Sequence, residues 1–270
     1  MEGLTRPGRA ARPGVLRAAL LGALACALAG CASRFEPPTS EAGPRLRVQS
    51  SALAPGNGGE LIAAAALEPG DILLSSVGTL QSLGIQIATF APVSHALVYL
   101  GDNAVAEAVG EGVQVRTLRA VLQSEQMVVA FRDPQLTPAQ AQRVREWSLS
   151  QVGTKYNTVG VVLSAPFVIN RRVCELPLVP GPLRDACVRG FATVQLGASR
   201  DDRFFCSQFV LEAYRQAGAP LSDADPRWVS PADLLHMREG DVATLAAARP
   251  LRYVGHLKYT APVATVTEAP

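Results

Sequence analysis

Residues 203–218 constrain the fold more than any other stretch of the chain: they read Arg-Phe-Phe-Cys-Ser-Gln-Phe-Val-Leu-Glu-Ala-Tyr-Arg-Gln-Ala-Gly. Apolar residues recur there at helical spacing, and Gly218 is a typical helix stop, so the pattern predicts a buried helix with Cys206 in its first turn. The positive end of a helix dipole lowers the pKa of such a thiol and favours the thiolate. Free cysteine is more often a small core residue, so this stretch alone leaves both interpretations open.

The composition of the 270-residue chain is that of a globular protein. Hydrophobic residues make up 48% of it and charged residues 18%, which supports a sizeable core and argues against wholesale disorder. The formal net charge of +2 comes from the N-terminus: residues 1–30 hold four arginines and one glutamate, and without them the net charge is −1. A near-neutral domain of this kind argues against binding nucleic acid through a broad basic face.

The first 30 residues have the pattern of a secretory signal. Arginines at positions 6, 9, 12 and 17 precede about a dozen apolar residues, too few for the roughly 20 that a membrane-spanning helix needs. The run ends in Leu28-Ala29-Gly30-Cys31, which resembles the lipobox of bacterial lipoproteins, in which the cysteine is acylated and becomes the mature N-terminus. Ordinary signal cleavage with Cys31 left free is the alternative. No acidic residue follows Cys31, which by resemblance to Gram-negative lipoproteins favours the outer membrane, facing the periplasm.

The organisation of the chain follows from this leader and from composition. Proline, serine and glycine are frequent after Cys31, and such stretches are typical of flexible linkers. We therefore expect a lipoprotein signal peptide over 1–30, a flexible tether over 31–65, one folded domain over 66–260 and a tail over 261–270.

The domain itself reads as antiparallel strands flanked by helices, hence as one α+β unit. The patterns predict strands near 72–74, 93–102, 104–109, 112–116, 127–132 and 251–259. Helices are predicted near 79–90, 118–126 and 136–151, with Thr137 as an N-cap, and after Ser230-Pro231. No phosphate loop, zinc spacing or internal repeat is present, so neither a metal nor an organic cofactor is expected.

A nucleophilic cysteine needs a base within hydrogen-bond reach, and the chain has only three histidines. His236 lies in a predicted helix and His256 in the last strand, whereas His95 opens a strand, where an imidazole can face a cleft. If 95–100 and 104–109 form a hairpin, His95 lies roughly opposite residues 107–109, within a cross-strand reach of about 5 Å. Glu107 can then accept the Nδ1–H of His95 and orient the ring. The alternatives are a structural histidine and a solvated glutamate.

Taken together, these motifs resemble those of the permuted papain-like amidases of the YaeF/YiiX type, within the NlpC-like cysteine hydrolases. The resemblance spans about 67–235 and rests on five stretches in this order: Pro69-Gly-Asp-Ile-Leu-Leu74, Ser94-His95, Glu107-Ala108, Gly153-Thr-Lys-Tyr156 and Phe205-Cys-Ser-Gln-Phe-Val-Leu-Glu-Ala-Tyr214. Ser230-Pro-Ala-Asp-Leu-Leu235 is similar to the closing helix of the family. The histidine precedes the cysteine, as a circular permutation of the papain fold requires.

The resemblance implies a fold and a set of roles. It implies an antiparallel sheet packed against helices, with Cys206 as nucleophile, His95 as general base and then acid, and Glu107 as the orienting residue. Tyr156 and Ser207 are weaker candidates for the substrate cleft. Related acyltransferases share the permuted arrangement, so acyl transfer between lipids is an alternative to amide hydrolysis.

Residues 171–203 depart from a minimal version of this fold and are expected to form an inserted loop. In the periplasm Cys174 and Cys187 could form a disulfide there. With Cys31 acylated, Cys206 would be left as the odd thiol.

The sequence thus predicts a lipid-anchored envelope cysteine hydrolase that cleaves an amide or ester through a thioester. Its expected partners are the membrane, through the anchor, and a peptidoglycan peptide or acylated lipid as substrate. A non-catalytic lipoprotein that binds peptide or lipid in the cleft is the second class of function.

Overall fold

The computed structural model of the chain describes residues 32–38, 43–50, 53–89, 91–155, 171–176, 179–196 and 205–260. A six-stranded antiparallel sheet with the order β6-β5-β4-β3-β7-β8 forms its centre. The strands are β3 (Ile72–Ser76), β4 (His95–Gly101), β5 (Ala104–Val109), β6 (Gly112–Thr117), β7 (Met127–Arg132) and β8 (Arg252–Tyr259). All six lie where the alternation of apolar residues predicts them.

The hairpin between β4 and β5 sets the register on which the site depends. Its turn residues Asp102 and Asn103 have φ values of 51° and 59°. Two consecutive positive φ angles are typical of the tight turns that match strand twist, and asparagine and aspartate tolerate them. The turn pairs Leu97 with Glu107, and β6 then pairs Gln114 with Glu107. Leu97, Glu107 and Gln114 therefore lie on one face of the sheet.

Among the described residues six α-helices accompany the sheet: α1 (Leu80–Thr89), α2 (Leu118–Ser124), α3 (Pro138–Ser150), α4 (Gly181–Leu196), α5 (Cys206–Gln216) and α6 (Pro231–His236). Thr137 caps α3 and Ser230 caps α6, each accepting a hydrogen bond from a first-turn amide, as predicted. The predicted α+β fold class is confirmed.

Helix α5 packs on one face of the sheet as the apolar stripe predicts. Phe209, Val210, Ala213 and Tyr214 are fully buried in the main core, together with alternate residues of β3, β4 and β7. Trp147 of α3 packs on Phe209 with ring centroids 5.5 Å apart. A smaller cluster covers the opposite face, where Leu118 and Val121 of α2 pack with Leu73, Leu97 and Val128. Helix α5 is thus held by both the sheet and α3.

The turn before β3, which contains Gly70 and Asp71, is hydrogen-bonded to α5. The hydroxyl of Tyr214 donates a hydrogen bond to the carbonyl of Gly70, and both groups are buried. In the same turn the buried carboxylate of Asp71 accepts two hydrogen bonds from Arg132 of β7, each 2.7 Å long. The Pro-Gly-Asp motif therefore joins β3, β7 and α5.

The segment expected to be a tether contains ordered structure where it is described. Strands β1 (Ser33–Glu36) and β2 (Arg45–Val48) pair as a separate two-stranded sheet. A buried guanidinium holds this hairpin on the domain: Arg184 of α4 donates to the carbonyl of Ser33 over 2.7 Å. A short 3₁₀ helix, Ala64–Ala66, lies at the boundary between this segment and the expected domain. The local Pro- and Ser-rich composition could not indicate an anchor 151 residues away in the chain.

The predicted inserted loop at 171–203 is helical over half its length, because α4 occupies Gly181–Leu196. Cys174 and Cys187 are joined by a disulfide with a Cα–Cα distance of 5.6 Å. Arg171, 3% exposed, forms an ion pair with Asp233 of α6 over 2.8 Å, so the segment is fixed to the closing helix. Within the described ranges no helix is both long enough and apolar enough to span a bilayer.

Candidate active site

Cys206 is the first residue of α5 and the only free cysteine among the described residues. Its side chain is 7% exposed, and the backbone amides of Ala96 and Ser207 donate hydrogen bonds to its sulfur. Both amides and the helix N-terminus stabilise negative charge on sulfur. These contacts favour the thiolate form of Cys206, which a nucleophile requires.

His95 is the first residue of β4, and its imidazole lies between Cys206 and Glu107. Its Nε2 is 2.8 Å from Oε2 of Glu107, and its side chain is also hydrogen-bonded to Cys206. The sequence argument expected Glu107 to bind Nδ1, and that detail is wrong. Because His95 lies two residues beyond the Leu97–Glu107 pair, its ring reaches the carboxylate diagonally with Nε2. Nδ1 is then left for the thiol.

Glu107 is 1% exposed and is bound by three side chains. Besides His95, Gln114 donates to its Oε1 over 2.9 Å and Arg116 over 3.3 Å. Arg116 is itself held by the Ala120 carbonyl and the Ser124 hydroxyl, both in α2. The sequence argument missed Gln114 and Arg116. The alternation in Gly112-Val-Gln-Val-Arg116, once registered against β5, could have placed both on the face of Glu107.

Cys206, His95 and Glu107 stabilise one another's charged forms despite their burial. Burial favours the neutral forms, raising the pKa of Cys206 and of Glu107 and lowering that of His95. The hydrogen bonds and charges within the group overcome this effect. They lower the pKa of Cys206, with His95 as the main cause and the amides of Ala96 and Ser207 as lesser ones. They raise the pKa of His95 to about 10 and lower that of Glu107. All three shifts favour the charged forms, a thiolate beside an imidazolium and a carboxylate.

A chain of serines supports the start of β4 beside this group. The hydroxyls of Ser94 and of Ser82 in α1 are 2.6 Å apart, and Gln86 donates to Ser82 over 3.0 Å. The amide of Ser94 donates to the carbonyl of Ser75 in β3. These contacts fix the backbone from which His95 projects.

The weaker predicted site residues are placed differently. The hydroxyl of Ser207 is buried and donates to the carbonyl of Val229 over 2.6 Å, so its amide rather than its side chain faces the sulfur. Tyr156 and Cys31 lie outside the described residues.

The other two histidines have partners elsewhere. Nδ1 of His236 is 2.8 Å from Asp241, and His256 is 2.8 Å from the hydroxyl of Tyr253, with burial lowering its pKa to about 4. Over the part of the chain that the structure describes, no group of three or more His, Cys, Asp or Glu side chains could hold a metal ion.

The chain is similar to known proteins over most of its length. Residues 66–162 match the family model described as permuted papain-like amidase enzyme, YaeF/YiiX, C92 family. The chain is 41% identical over 200 residues to the probable lipoprotein peptidase YaeF of Escherichia coli strain K12, which covers 73% of each protein. A crystal structure described as metalloprotein yiiX from Escherichia coli O157:H7 is 19% identical, with a TM-score of 0.42, covering 72% of this chain and 98% of that one. At that score the structural likeness supports no separate conclusion.

A 41% identity that extends over almost three quarters of both chains is enough to assign membership. The fold and the order of the motifs agree with this assignment. The chain belongs to the permuted papain-like amidases of the YaeF/YiiX type, the C92 peptidase family.

Proposed function

We propose that this protein is a cysteine amidase or peptidase of the bacterial cell envelope, anchored by lipid at Cys31, with Cys206, His95 and Glu107 as its catalytic triad. The observation that carries the proposal is the continuous hydrogen-bonded chain from Cys206 through His95 to Glu107. Nucleophile, base and orienting carboxylate in that order are the arrangement that activates a thiol for acyl transfer.

The reaction begins with attack of the Cys206 thiolate on the substrate carbonyl carbon, which moves an electron pair onto the carbonyl oxygen. When this tetrahedral intermediate collapses, the imidazolium of His95 gives its Nδ1 proton to the leaving amine. The carbon–nitrogen bond breaks and a thioester remains on Cys206. A water molecule then attacks the thioester while His95 takes its proton. The carbon–sulfur bond breaks, and the acid product leaves a thiolate and an imidazolium behind.

The start of α5 supplies donors for the developing oxyanion. Helix geometry leaves the first amides of α5 without intrahelical acceptors. The amide of Phe205 is occupied by Oε1 of Gln208, at 3.2 Å. The amides of Cys206 and Ser207 therefore stabilise the oxyanion, and Ser207 already points its N–H at the sulfur.

Lipid anchoring rests on the tetrapeptide Leu28-Ala29-Gly30-Cys31 and is supported by the name of the YaeF relative, a probable lipoprotein peptidase. Acylation of Cys31 with two or three chains gives stable attachment, where a single chain is marginal. The absence of an acidic residue after Cys31 favours the outer membrane, by resemblance to Gram-negative lipoproteins, with the domain in the periplasm. Amide-containing envelope components, such as peptidoglycan peptides, are then within reach.

Trapping the acyl-enzyme tests the chemical part of this proposal. The mature protein is mixed with an activated ester of a short peptide, stopped in acid and examined by intact and peptide mass spectrometry. We expect the peptide acyl group on Cys206, removable by neutral hydroxylamine as thioesters are. Cys206→Ala should not acylate, whereas the matched surface variant Val115→Ala should. Acylation of Cys206→Ala at the wild-type rate would overturn the assignment of the nucleophile.

A further inference from the structure

The hairpin formed by β1 and β2 has one apolar and one basic face. Cross-strand pairing joins Ser33 with Val48 and Phe35 with Leu46, so the side chains of these four residues share a face. Three of them are large, apolar and solvent-exposed: Phe35 is 63% exposed, Leu46 53% and Val48 52%. Exposed apolar groups gathered on one small element, rather than scattered singly, are typical of an interaction surface.

Arginine dominates the opposite face of the hairpin. Register pairs Arg34 with Arg47 and Glu36 with Arg45, which gives three arginines and one glutamate. All three arginines are exposed, and Glu36 approaches Arg47 at 3.5 Å. The face therefore carries excess positive charge beside the apolar side chains. This combination is suited to the boundary between lipid headgroups and acyl chains, where arginine keeps its charged end in water.

The hairpin is fixed to the domain immediately after the residue that we propose is acylated. Ala32 is fully buried, and its carbonyl accepts a hydrogen bond from the amide of Gln49 over 2.8 Å. The carbonyl of Ser33 is bound by Arg184. Only Ala32 separates Cys31 from β1, and two residues span at most about 7 Å. An acyl group on Cys31 would therefore hold the hairpin at the membrane surface.

We infer that the β1–β2 hairpin is a membrane-docking element that lays Phe35, Leu46 and Val48 into an anionic phospholipid surface while Arg34, Arg45 and Arg47 bind lipid phosphates. The inference rests on the proposed anchoring at Cys31. It adds a second point of attachment, so the domain is held against the bilayer in one orientation rather than swinging from its anchor. A hairpin that binds lipid only weakly can dock in this way, because the anchor raises the local concentration of the hairpin at the membrane.

Tryptophan fluorescence of the mature lipoprotein in vesicles tests the docking. Phe35→Trp adds a reporter to the hairpin, and Leu61→Trp adds a matched one at a 66% exposed position outside it. Spectra are corrected for the native tryptophans with the wild-type protein. In phosphatidylglycerol vesicles with brominated acyl chains, we expect quenching at position 35 to exceed that at 61 by about threefold or more, with a blue shift. Equal quenching at the two positions would overturn the inference.

The basic face is tested separately with the triple variant Arg34→Gln, Arg45→Gln, Arg47→Gln in the Phe35→Trp background. Quenching should fall at least by half in this variant. It should also fall at least by half in the Phe35→Trp parent at about 0.5 M salt, because salt at that concentration screens exposed charges. The control is Arg119→Gln with Arg252→Gln, two exposed arginines outside the hairpin, and should quench like the parent. Unchanged quenching in the triple variant would contradict a role for lipid phosphates.

Detergent partitioning of the same samples separates the docking from the anchor. A protein that partitions as a lipoprotein but shows no excess quenching at position 35 has the anchor and lacks the docking. If the protein does not partition into detergent, the proposal of anchoring at Cys31 fails. The docking inference then stands only if position 35 is quenched when phosphatidylglycerol vesicles are added. A blue shift at position 35 that grows with protein concentration and needs no vesicles would mean that the face binds a second copy of the chain, contrary to the inference.

Discussion

At the scale of single residues, the site is a set of buried charges that stabilise one another. Burial lowers the pKa of His95, and Cys206 on one side and Glu107 on the other more than offset this effect. Glu107 in turn depends on Gln114 and Arg116, which come from the next strand. The reactivity that we propose for the Cys206 thiol therefore depends on residues that do not contact it. The effect of each of these residues can be tested by its own substitution.

Replacing Glu107 with Gln should weaken the acid–base function of His95 without removing its ring. Loss of the carboxylate lowers the pKa of His95, so the imidazolium is lost at lower pH and the alkaline limb of kcat/KM moves toward neutrality. We expect activity to fall roughly 10²–10⁴-fold, the range for impaired general acid–base catalysis. Steady-state kinetics across pH measure both effects. An unchanged alkaline limb would show that Glu107 does not act through His95.

Gln114 is a positioning residue by the same argument. Gln114→Ala removes one hydrogen bond to the buried carboxylate and leaves His95 and Arg116 in place, so the expected loss in kcat is about tenfold. The alkaline limb should shift in the same direction as for Glu107→Gln but less, an effect that a purely structural role would not produce. Val115→Ala, a neighbour whose side chain points to the other face of β6, is the matched control. Val115→Ala should leave the pH profile unchanged.

At the scale of elements, α5 is held by apolar contacts at its buried face and by side-chain hydrogen bonds, among them that of Tyr214. The hydroxyl of Tyr214 satisfies the buried carbonyl of Gly70, and no backbone ladder can replace it. Tyr214→Phe keeps the ring and leaves that carbonyl without its partner. We expect a loss of about 1–3 kcal/mol in the free energy of unfolding, measured with urea. Tyr99→Phe, whose hydroxyl accepts only a long, exposed bond from Asn103, should lose less than about 0.5 kcal/mol.

The Cys174–Cys187 disulfide should stabilise the segment that carries α4. The two cysteines are 13 residues apart, and closing a loop of about that length stabilises by roughly 3 kcal/mol in the entropy model. Cys174→Ser with Cys187→Ser should therefore lower the free energy of unfolding by a large part of that amount. Intact mass after alkylation, with and without reductant, checks the pairing. Three reactive thiols in an unreduced, unfolded sample of the mature protein would contradict the disulfide, and a fourth would also contradict the acylation of Cys31.

At the scale of the whole molecule, the central sheet was predictable and its attachments were not. Strands β3 to β8 alternate or run apolar within short segments, so local pattern was enough to place them, and the β4–β5 turn placed His95 near Glu107. The ring orientation of His95 needed the exact register. The β1–β2 hairpin and α4 were missed because a buried arginine far along the chain holds them together, and local composition rich in proline and glycine gives no sign of such a contact.

The molecule as a whole combines an internal site with an external attachment. The site lies where α5 begins and β4 begins, with Cys206 on the helix and His95 and Glu107 on strands of the sheet. The hairpin that follows the leader is fixed to α4, and α4 is joined through the disulfide to the segment that Arg171 pairs with α6. An orientation imposed at the membrane would therefore be passed on to the domain through buried contacts rather than through a free linker.

The rate of alkylation of Cys206 by iodoacetamide as a function of pH tests the central claim most directly. A thiolate stabilised by His95 should react with a pH midpoint below the ordinary thiol value of 9.0, so that the rate at about pH 6 exceeds that of an unperturbed thiol. In His95→Ala the main cause that lowers the pKa of the thiol is lost and only the amides of Ala96 and Ser207 still oppose burial, so the pKa rises and the rate at about pH 6 should fall about tenfold or more. A wild-type midpoint near 9, unchanged in His95→Ala, would contradict the account.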